Sequence, residues 1–223
     1  MHKFITQQAD LDTVLALMAQ GSVYGLDTEF IKVDTFWPKL GVFQINVNNH
    51  IFLLDGTTLD LAHFWQKIFA AQQNIFHACS EDIDLIYHYA DKQPLVNVFD
   101  TQVALSFLGH GLQVSYQNAL KLILNIDIDK DQTRSDWLAR PLSAAQIEYA
   151  ANDVLYIMQL ADKLKAELEA KNLYAYMLED CQHLTQEIAL ETPQEKLYTD
   201  VGNYRHSRKQ LMQLQQLSVW REE

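Results

Sequence analysis

In the first half of this 223-residue chain, apolar segments of strand length alternate with stretches whose apolar residues recur every three or four positions. Such alternation is typical of an α/β fold, in which helices cover a sheet. The predicted strands are residues 3–6, 23–29, 42–47, 50–55 and 74–78, and three of them form a meander. The predicted helices are residues 10–19, 61–71, 81–90, 101–109 and 114–124.

From residue 142 to about residue 190 the chain is almost entirely helical in its pattern. Ser143 and Gln146 have the Ser-x-x-Gln spacing of a capping box, which predicts a helix start. Pro193 interrupts the pattern, and the basic, then amphipathic tail beyond it has too few residues to bury its own apolar side. We therefore predict one domain over residues 1–191 and, over residues 192–223, a linker with the incomplete start of a second helical domain.

The charge of the chain limits its possible partners. A net charge of −12 argues against broad, sequence-independent attraction to nucleic acid, because such binding depends mainly on Lys and Arg. No apolar run approaches the roughly 20 residues that span a bilayer, and residues 1–14 turn polar too soon for a secretion signal. These features predict a cytoplasmic protein without membrane association, and no obligate protein partner is inferred.

The apolar run at residues 23–29 ends in two carboxylates, Asp27 and Glu29. Side chains two apart on a strand share a face, so these two lie together while Thr28 points away. Like charges at this spacing raise each other's pKa or bind a cation, and oxygen ligands favour magnesium or manganese. The alternative is a strand that simply runs out into solvent.

A second acidic segment opens the predicted helix at residues 81–90, which Ser80 is placed to cap. Asp82 lies on the apolar stripe of this helix, whereas Asp84 lies on its wetter side. Asp82 is therefore the acid that we expect to face inward. The alternative is a first-turn acid that interacts only with the helix dipole.

A third element combines a phenol with an acid. Tyr149 and Asp153 are four residues apart and so adjacent on one helix face. A phenol beside a carboxylate can hydrogen-bond a water, although a core tyrosine with an aspartate nearby is the simpler alternative. Taken together, four acids and one phenol form the set that two-metal phosphodiester hydrolysis requires.

These segments and their order resemble ribonuclease D, a 3′-to-5′ exoribonuclease of the DEDD superfamily with an RNase H-like fold. The segments that carry the resemblance are GLDTEF, FWPKLGVFQIN, FHACSEDIDLI, VFDTQVA and TRSDWLARPLSAAQIEYAANDVLY. The likeness covers about residues 1–190 and implies a mixed β-sheet flanked by helices. The tail resembles the opening helix of the helicase-and-RNase-D C-terminal module, a helical RNA-binding domain.

The resemblance also implies roles for the motif residues. Asp27 and Glu29 match the first exonuclease motif, Asp82 the second, and Tyr149 and Asp153 the third. The four acids would hold two divalent ions, Mg²⁺ or Mn²⁺, and Tyr149 would orient the attacking water, so all five would be catalytic. The Tyr-x3-Asp form of the third motif marks the tyrosine subgroup.

Substrate contacts are predicted from the same comparison. Phe30 and Gln44 follow the first motif, where the resemblance places the 3′ nucleotide and an aromatic ring could stack on a base. Core packing is the alternative for Phe30. Arg134, just before the third motif, is predicted to contact a phosphate, and Arg140 is a weaker candidate. His77 is expected to be a packed strand residue rather than a ligand.

The expected function is hydrolysis of RNA from its 3′ end, one nucleotide at a time, with release of nucleoside 5′-monophosphates. The resemblance implies transfer RNA precursors as the substrate. A DNA-directed 3′-5′ exonuclease would carry the same residues, since no contact to a 2′-hydroxyl can be read from the sequence. A catalytically silent RNA-binding scaffold is the other alternative, and the intact set of five residues argues against it.

Overall fold

The computed structural model describes residues 2–18, 23–33, 35, 37–128, 135–190, 193–203 and 205–222. The chain forms two compact units, Met1–Ala189 and Leu190–Glu223. Within the described residues, the first unit contains the sheet and the second is helical.

Six strands form one sheet in the order β1-β4-β3-β2-β5-β6. They are β1 (His2–Ile5), β2 (Val23–Ile31), β3 (Lys39–Val47), β4 (His50–Asp55), β5 (Gln73–Phe76) and β6 (Val98–Asp100). The antiparallel neighbours β2, β3 and β4 are the predicted meander, whereas β1, β5 and β6 join the sheet in parallel. The sheet is therefore mixed, as expected. The pattern missed β6 because three residues are too few to show a period.

Eight helices of the first unit are described: α1 (Gln8–Met18), α2 (Ala62–Phe69), α3 (Ser80–Tyr89), α4 (Thr101–Phe107), α5 (Tyr116–Ala119), α6 (Ala144–Leu155), α7 (Ile157–Ala170) and α8 (Tyr174–Ile188). A π-helical segment, Leu120–Leu124, continues α5. The predicted capping box of Ser143 and Gln146 is present at the start of α6. The second unit contains a 3₁₀ turn, Gln194–Lys196, followed by α9 (Tyr198–Val201) and α10 (Arg208–Glu222). None of the helices in these described ranges is long and apolar enough to cross a membrane.

Cross-strand pairing shows which layer covers each face of the sheet. Thr28 of β2 is paired with Phe43 of β3, and the Phe43 ring makes an edge-to-face contact with Phe64 of α2, with ring centroids 4.9 Å apart. The face to which Thr28 points is therefore covered by α2. The opposite face is covered by α6, because Asn46 Nδ2 of β3 donates a hydrogen bond of 2.8 Å to the Val154 carbonyl oxygen.

Gly25 of β2 permits a close approach of the next helix. A Cβ atom at this position would lie 2.3 Å from Cγ2 of Ile157, the first residue of α7. Any larger residue at position 25 would push this helix away from the sheet. Because α6 ends directly before α7, the same contact keeps the end of α6 close to the second half of β2.

An ion pair fastens the segment that precedes α6 to the sheet. Arg140 Nε donates to Asp55 Oδ2 at 2.9 Å, and Nη2 donates to Oδ1 at 2.6 Å. Nη2 also donates to the Gly41 carbonyl oxygen at 2.8 Å. Burial raises the pKa of Asp55, but the hydrogen bonds from Arg140 and Thr57 outweigh burial and lower it below its ordinary value. The guanidinium of Arg140 is thus engaged inside the protein, and the prediction that it contacts a phosphate has no support from its position.

Replacing Arg140 by Met should destabilise the protein by about 3 to 5 kcal/mol, because it leaves the buried carboxylate of Asp55 without its partner. The measurement is the free energy of unfolding in urea. Lys3→Met is the matched control, since Lys3 forms an exposed ion pair with Asp10 and such pairs contribute at most about 1 kcal/mol. Equal losses in the two variants would contradict a structural role for the buried pair.

Candidate active site

Three of the predicted acids form one cluster. Asp27, Glu29 and Asp153 each offer an oxygen atom, and these atoms all lie within 4.8 Å of one another. Asp27 and Glu29 project from β2, and Asp153 lies near the end of α6. The close packing of α6 on this face of the sheet therefore joins the first and third motifs.

Tyr149 lies one helical turn before Asp153 and faces the same cluster. Burial raises the pKa of its phenol first, and the negative charges of Asp153, Glu29 and Asp27 raise it further. Burial also raises the pKa of Asp153 to about 7, and the neighbouring Tyr149 hydroxyl opposes that shift. The phenol is thus held protonated beside the carboxylates.

Asp82 lies beside the cluster but is held by a different contact. It is buried in the first turn of α3, and its Oδ1 atom accepts a hydrogen bond of 2.5 Å from the Thr28 hydroxyl. Its negative charge raises the pKa of both Asp27 and Glu29, which shows its proximity. Within the described residues, the group of mutually close ligand oxygens contains the other three acids without Asp82. Thr28 was missed by sequence reasoning, because it points away from Asp27 and carries no motif signal of its own.

The start of α3 is fixed by an acid outside the predicted set. The N-cap residue is Cys79 rather than the expected Ser80, and it makes no side-chain cap. Instead, Asp100 at the end of β6 accepts hydrogen bonds from the backbone amides of Ala78 and Cys79, at 3.0 and 2.8 Å. Asp100 also caps α4. An aspartate that ends an apolar run directly before a helical pattern is an N-cap signal, so the sequence did contain a sign of this role.

Burial and mutual repulsion dominate the electrostatics of the cluster. The pKa of Glu29 is raised to about 9, first by burial and then by the charges of Asp153 and Asp82. The pKa of Asp27 is raised well above its usual range by burial and by its three acidic neighbours. Burial also raises the pKa of Asp82 to about 7. The group would therefore be stabilised by added positive charge.

The residues fit a divalent cation. All donors in the cluster are carboxylate oxygens, which hard ions such as Mg²⁺ prefer. Oxygen atoms that share one such ion lie within about 4 to 5 Å of one another, close to the separation found here. In addition, Asp153 Oδ2 is buried without a hydrogen-bond partner. A cation would be a partner for this oxygen, which has none within the protein.

The raised pKa values predict that the metal-free protein loses stability as the pH rises. A carboxyl whose pKa is higher in the folded state keeps a proton that the unfolded chain releases, so its contribution declines from about pH 4 up to its folded pKa, about 9 for Glu29. Glu29→Gln cannot ionise and should gain stability relative to the parent between pH 5 and 9. Thermal melts in EDTA would measure this, with exposed Glu179→Gln as the control. A parent–variant difference that stays constant with pH would contradict it.

The predicted substrate residues occupy different environments. Phe30 follows Glu29 at a β-bulge and packs partly against the core. Gln44 is fully buried, and its amide nitrogen, turned toward the sheet, donates to the carbonyl oxygens of Asp27 and Val42 at 2.8 and 3.2 Å. Its position therefore supports a structural role rather than a substrate contact. Arg134 lies outside the described residues.

His77 is packed as expected, and both ring nitrogens have partners. Nδ1 lies 2.8 Å from the Thr101 hydroxyl, and Nε2 lies 2.9 Å from the Val114 carbonyl oxygen. Burial lowers the pKa of the ring. A neutral imidazole with both nitrogens engaged is a poor candidate for a metal ligand, in agreement with the sequence interpretation.

Known proteins are similar to this chain in sequence. The model of a 3′-5′ exonuclease domain family matches residues 2–169. Ribonuclease D of Shewanella sp. (strain ANA-3) is 36% identical over 225 residues, which cover 98% of this chain and 57% of that protein. Ribonuclease D of Psychromonas ingrahamii is also 36% identical, over 98% of this chain and 59% of its own length.

A solved structure agrees with these sequence matches. The crystal structure of Escherichia coli RNase D, described as an exoribonuclease involved in structured RNA processing, superposes with a TM-score of 0.90 at 27% identity. The superposition covers 100% of this chain and 60% of that one, so the chain spans little more than half the length of these relatives. Given the family match over residues 2–169, a mixed sheet of the RNase H-like type and the carboxylate cluster, the chain belongs to the 3′-5′ exonuclease family, with ribonuclease D among its relatives.

Proposed function

We propose that this protein is a metal-dependent 3′-5′ exoribonuclease that removes nucleoside 5′-monophosphates singly from RNA 3′ ends. The observation that carries the proposal is the cluster of Asp27, Glu29 and Asp153 with the Tyr149 phenol beside it. The similarity to ribonuclease D over nearly the whole chain supports RNA rather than DNA as the substrate.

The reaction replaces one bond to phosphorus by another. A water oxygen attacks the phosphorus of the terminal nucleotide, the bond to the preceding 3′ oxygen breaks, and that oxygen leaves with a proton. Bound divalent ions would supply the positive charge that deprotonates the water and stabilises the attacking and leaving oxygens. Tyr149, one helical turn before Asp153 and lining the same cavity, is placed to hold the water. The carboxylates of Asp27, Glu29 and Asp153 would hold these ions.

We further propose that two ions bind, as Mg²⁺ or Mn²⁺, and that Asp82 completes the second site. Its proximity to Asp27 supports this assignment. To serve as a ligand, Asp82 would share its carboxylate between an ion and the Thr28 hydroxyl, which is compatible because an ionised carboxylate accepts several bonds.

The same proposal covers the class of RNA substrate and the role of residues 192–223. Transfer RNA precursors, processed in the cytoplasm, are the substrate that the resemblance to ribonuclease D favours. We propose that residues 192–223 are a linker and the incomplete start of a helical RNA-binding module. The compact helical unit Leu190–Glu223 and the basic residues Arg208 and Lys209 at the start of α10 support this assignment.

Degradation of 5′-labelled RNA tests the activity. With Mg²⁺ or Mn²⁺ the label should pass through a ladder shortened one nucleotide at a time, and excess EDTA should abolish the reaction. A DNA oligomer of the same sequence, in parallel, distinguishes a ribonuclease from a DNA-directed exonuclease. Full turnover in EDTA would exclude a metal-dependent mechanism, and binding without shortening would favour the scaffold alternative.

A 3′-phosphate on the same RNA should block digestion. It would place an additional dianion against carboxylates whose pKa values are already raised, first by burial and then by mutual repulsion. Initial rates on RNA with a 3′-hydroxyl or a 3′-phosphate would measure the effect. Equal rates would indicate endonucleolytic cleavage or attack from the 5′ end.

A further inference from the structure

A second tyrosine, Tyr116, reaches the carboxylate cluster from a segment that none of the exonuclease motifs includes. It is the first residue of α5, and its side chain lines a cavity together with Asp27, Tyr149 and Asp153. The cavity has a volume of about 160 Å³, and its other walls are formed by Leu26, His77 and Ile157.

The hydroxyl oxygen of Tyr116 is buried and has no hydrogen-bond partner. The backbone amide of Tyr156 lies beside it but does not form a hydrogen bond of normal geometry. Asp153, which lines the same cavity, also has a buried, unpaired oxygen, Oδ2. A buried polar atom without a partner destabilises a folded protein, so such atoms need an explanation where they occur. Here the two residues that carry these atoms line one cavity, as expected if a ligand satisfies them.

Other residues hold Tyr116 in place without using its hydroxyl. The His77 ring lies against the Tyr116 ring, with centroids 5.4 Å apart. His77 Nε2 also lies 2.9 Å from the Val114 carbonyl oxygen, and Gln102 Nε2 donates to the same oxygen at 3.1 Å. The segment that leads into α5 is therefore fixed from two sides, and the hydroxyl remains available.

The chemistry of the cavity limits what this hydroxyl can bind. A tyrosine phenol keeps its proton at neutral pH and carries one O–H donor, so the Tyr116 hydroxyl can donate a hydrogen bond. An attacking water carries two hydrogens and needs acceptors, which the carboxylates supply. A phosphoryl oxygen carries no hydrogen and needs donors.

The size of the cavity agrees with a phosphoryl group. Since a water molecule takes up about 30 Å³, the cavity would hold roughly five water molecules. Sites that enclose a whole small molecule measure about 300 to 1,000 Å³. The space therefore accommodates a phosphate group and is smaller than sites that enclose a whole small molecule.

We propose that the Tyr116 hydroxyl donates a hydrogen bond to a non-bridging oxygen of the phosphate under attack, which makes Tyr116 a second catalytic tyrosine beside Tyr149. The negative charge of phosphoryl transfer is spread over these oxygens, so a donor placed there stabilises the transition state. The inference rests on the proposed phosphodiester hydrolysis.

The first test compares Tyr116→Phe with the parent in activity and stability. A hydrogen bond to a charged oxygen corresponds to about a 10- to 100-fold decrease in kcat. The metal-free variant should melt at the parent temperature or above, because an unpaired hydroxyl is removed. Tyr24→Phe is the matched control, since the Tyr24 hydroxyl donates to the Met18 carbonyl oxygen at 2.7 Å. This control should melt lower and keep the parent kcat.

The second test measures binding of adenosine 5′-monophosphate and of adenosine by calorimetry in Mn²⁺. Tyr116→Phe should weaken binding of the monophosphate about 10-fold and leave that of adenosine unchanged. A reduced kcat with unchanged monophosphate binding would overturn the phosphate contact. If Tyr116→Phe lowers the melting temperature and leaves kcat unchanged, the Tyr116 hydroxyl has a structural role, which would also overturn the proposal. A parent that does not hydrolyse RNA contradicts the proposed function, whereas an active parent matched by Tyr116→Phe overturns only the role of Tyr116.

Discussion

Asp27→Asn is expected to remove nearly all hydrolysis while leaving the metal-free protein as stable as the parent, or more so. Bound ions supply several kcal/mol of transition-state stabilisation, and about 1.4 kcal/mol is a factor of ten, so the rate should fall about 10³-fold or more. The metal-free protein gains because Asp27 is buried among Asp82, Asp153 and Glu29, and removing its charge relieves their repulsion. Loss of function and gain of stability would thus come from one substitution.

Thermal melts with and without Mn²⁺ measure the second half of this expectation. A ligand at about 100 times its dissociation constant stabilises the folded state by about 2.7 kcal/mol, and Asp27→Asn should lose most of that gain. Asp84→Asn is the charge-matched control, because Asp84 lies on the exposed side of α3 and pairs with Lys32 at 3.9 Å. If Mn²⁺ raises the melting temperature of Asp27→Asn as much as that of the parent, Asp27 is not a ligand.

Tyr149→Phe should slow the chemical step by roughly 10² to 10⁴ while metal and RNA bind nearly as before. The substitution removes only the hydroxyl and keeps the ring, which packs near Trp137 with centroids 6.0 Å apart. A neutral phenol is a poor ligand for a hard divalent ion compared with a carboxylate, so its loss should affect the water rather than the metal. Asp153→Ala should differ, since it removes both the water contact and a ligand.

Single-turnover decay of labelled RNA, alongside a Mn²⁺ titration, distinguishes these two variants. Tyr149→Phe should bind Mn²⁺ with the parent's affinity but cleave RNA slowly. Asp153→Ala should both bind Mn²⁺ more weakly and cleave RNA more slowly than the parent. Tyr176→Phe, an exposed tyrosine on α8, serves as the control for the substitution itself. Cleavage by Tyr149→Phe at the parent rate, or loss of metal as severe as in Asp153→Ala, would contradict the water-orienting role.

Local sequence patterns predicted the elements that carry the site. Two-residue periodicity placed Asp27 and Glu29 on one face of a strand, and the spacing of four placed Tyr149 and Asp153 on one face of a helix. The capping box of Ser143 predicted where that helix begins. These predictions succeeded because each depends only on backbone geometry within one element, which the order of residue types is enough to specify.

Contacts between distant segments were decided only by the tertiary structure. The hydrogen bond from Thr28 to Asp82, the burial of Gln44 and the ion pair of Arg140 with Asp55 all join residues whose own neighbours in sequence give no sign of the contact. The approach of Tyr116 to the carboxylates is of the same kind. The physical reason is that periodicity specifies the face of an element on which a side chain lies, whereas its partner depends on how closely the elements pack. That distance depends on features such as Gly25. Because Gly25 has no Cβ atom, α6 and α7 come close enough to β2 to close the site.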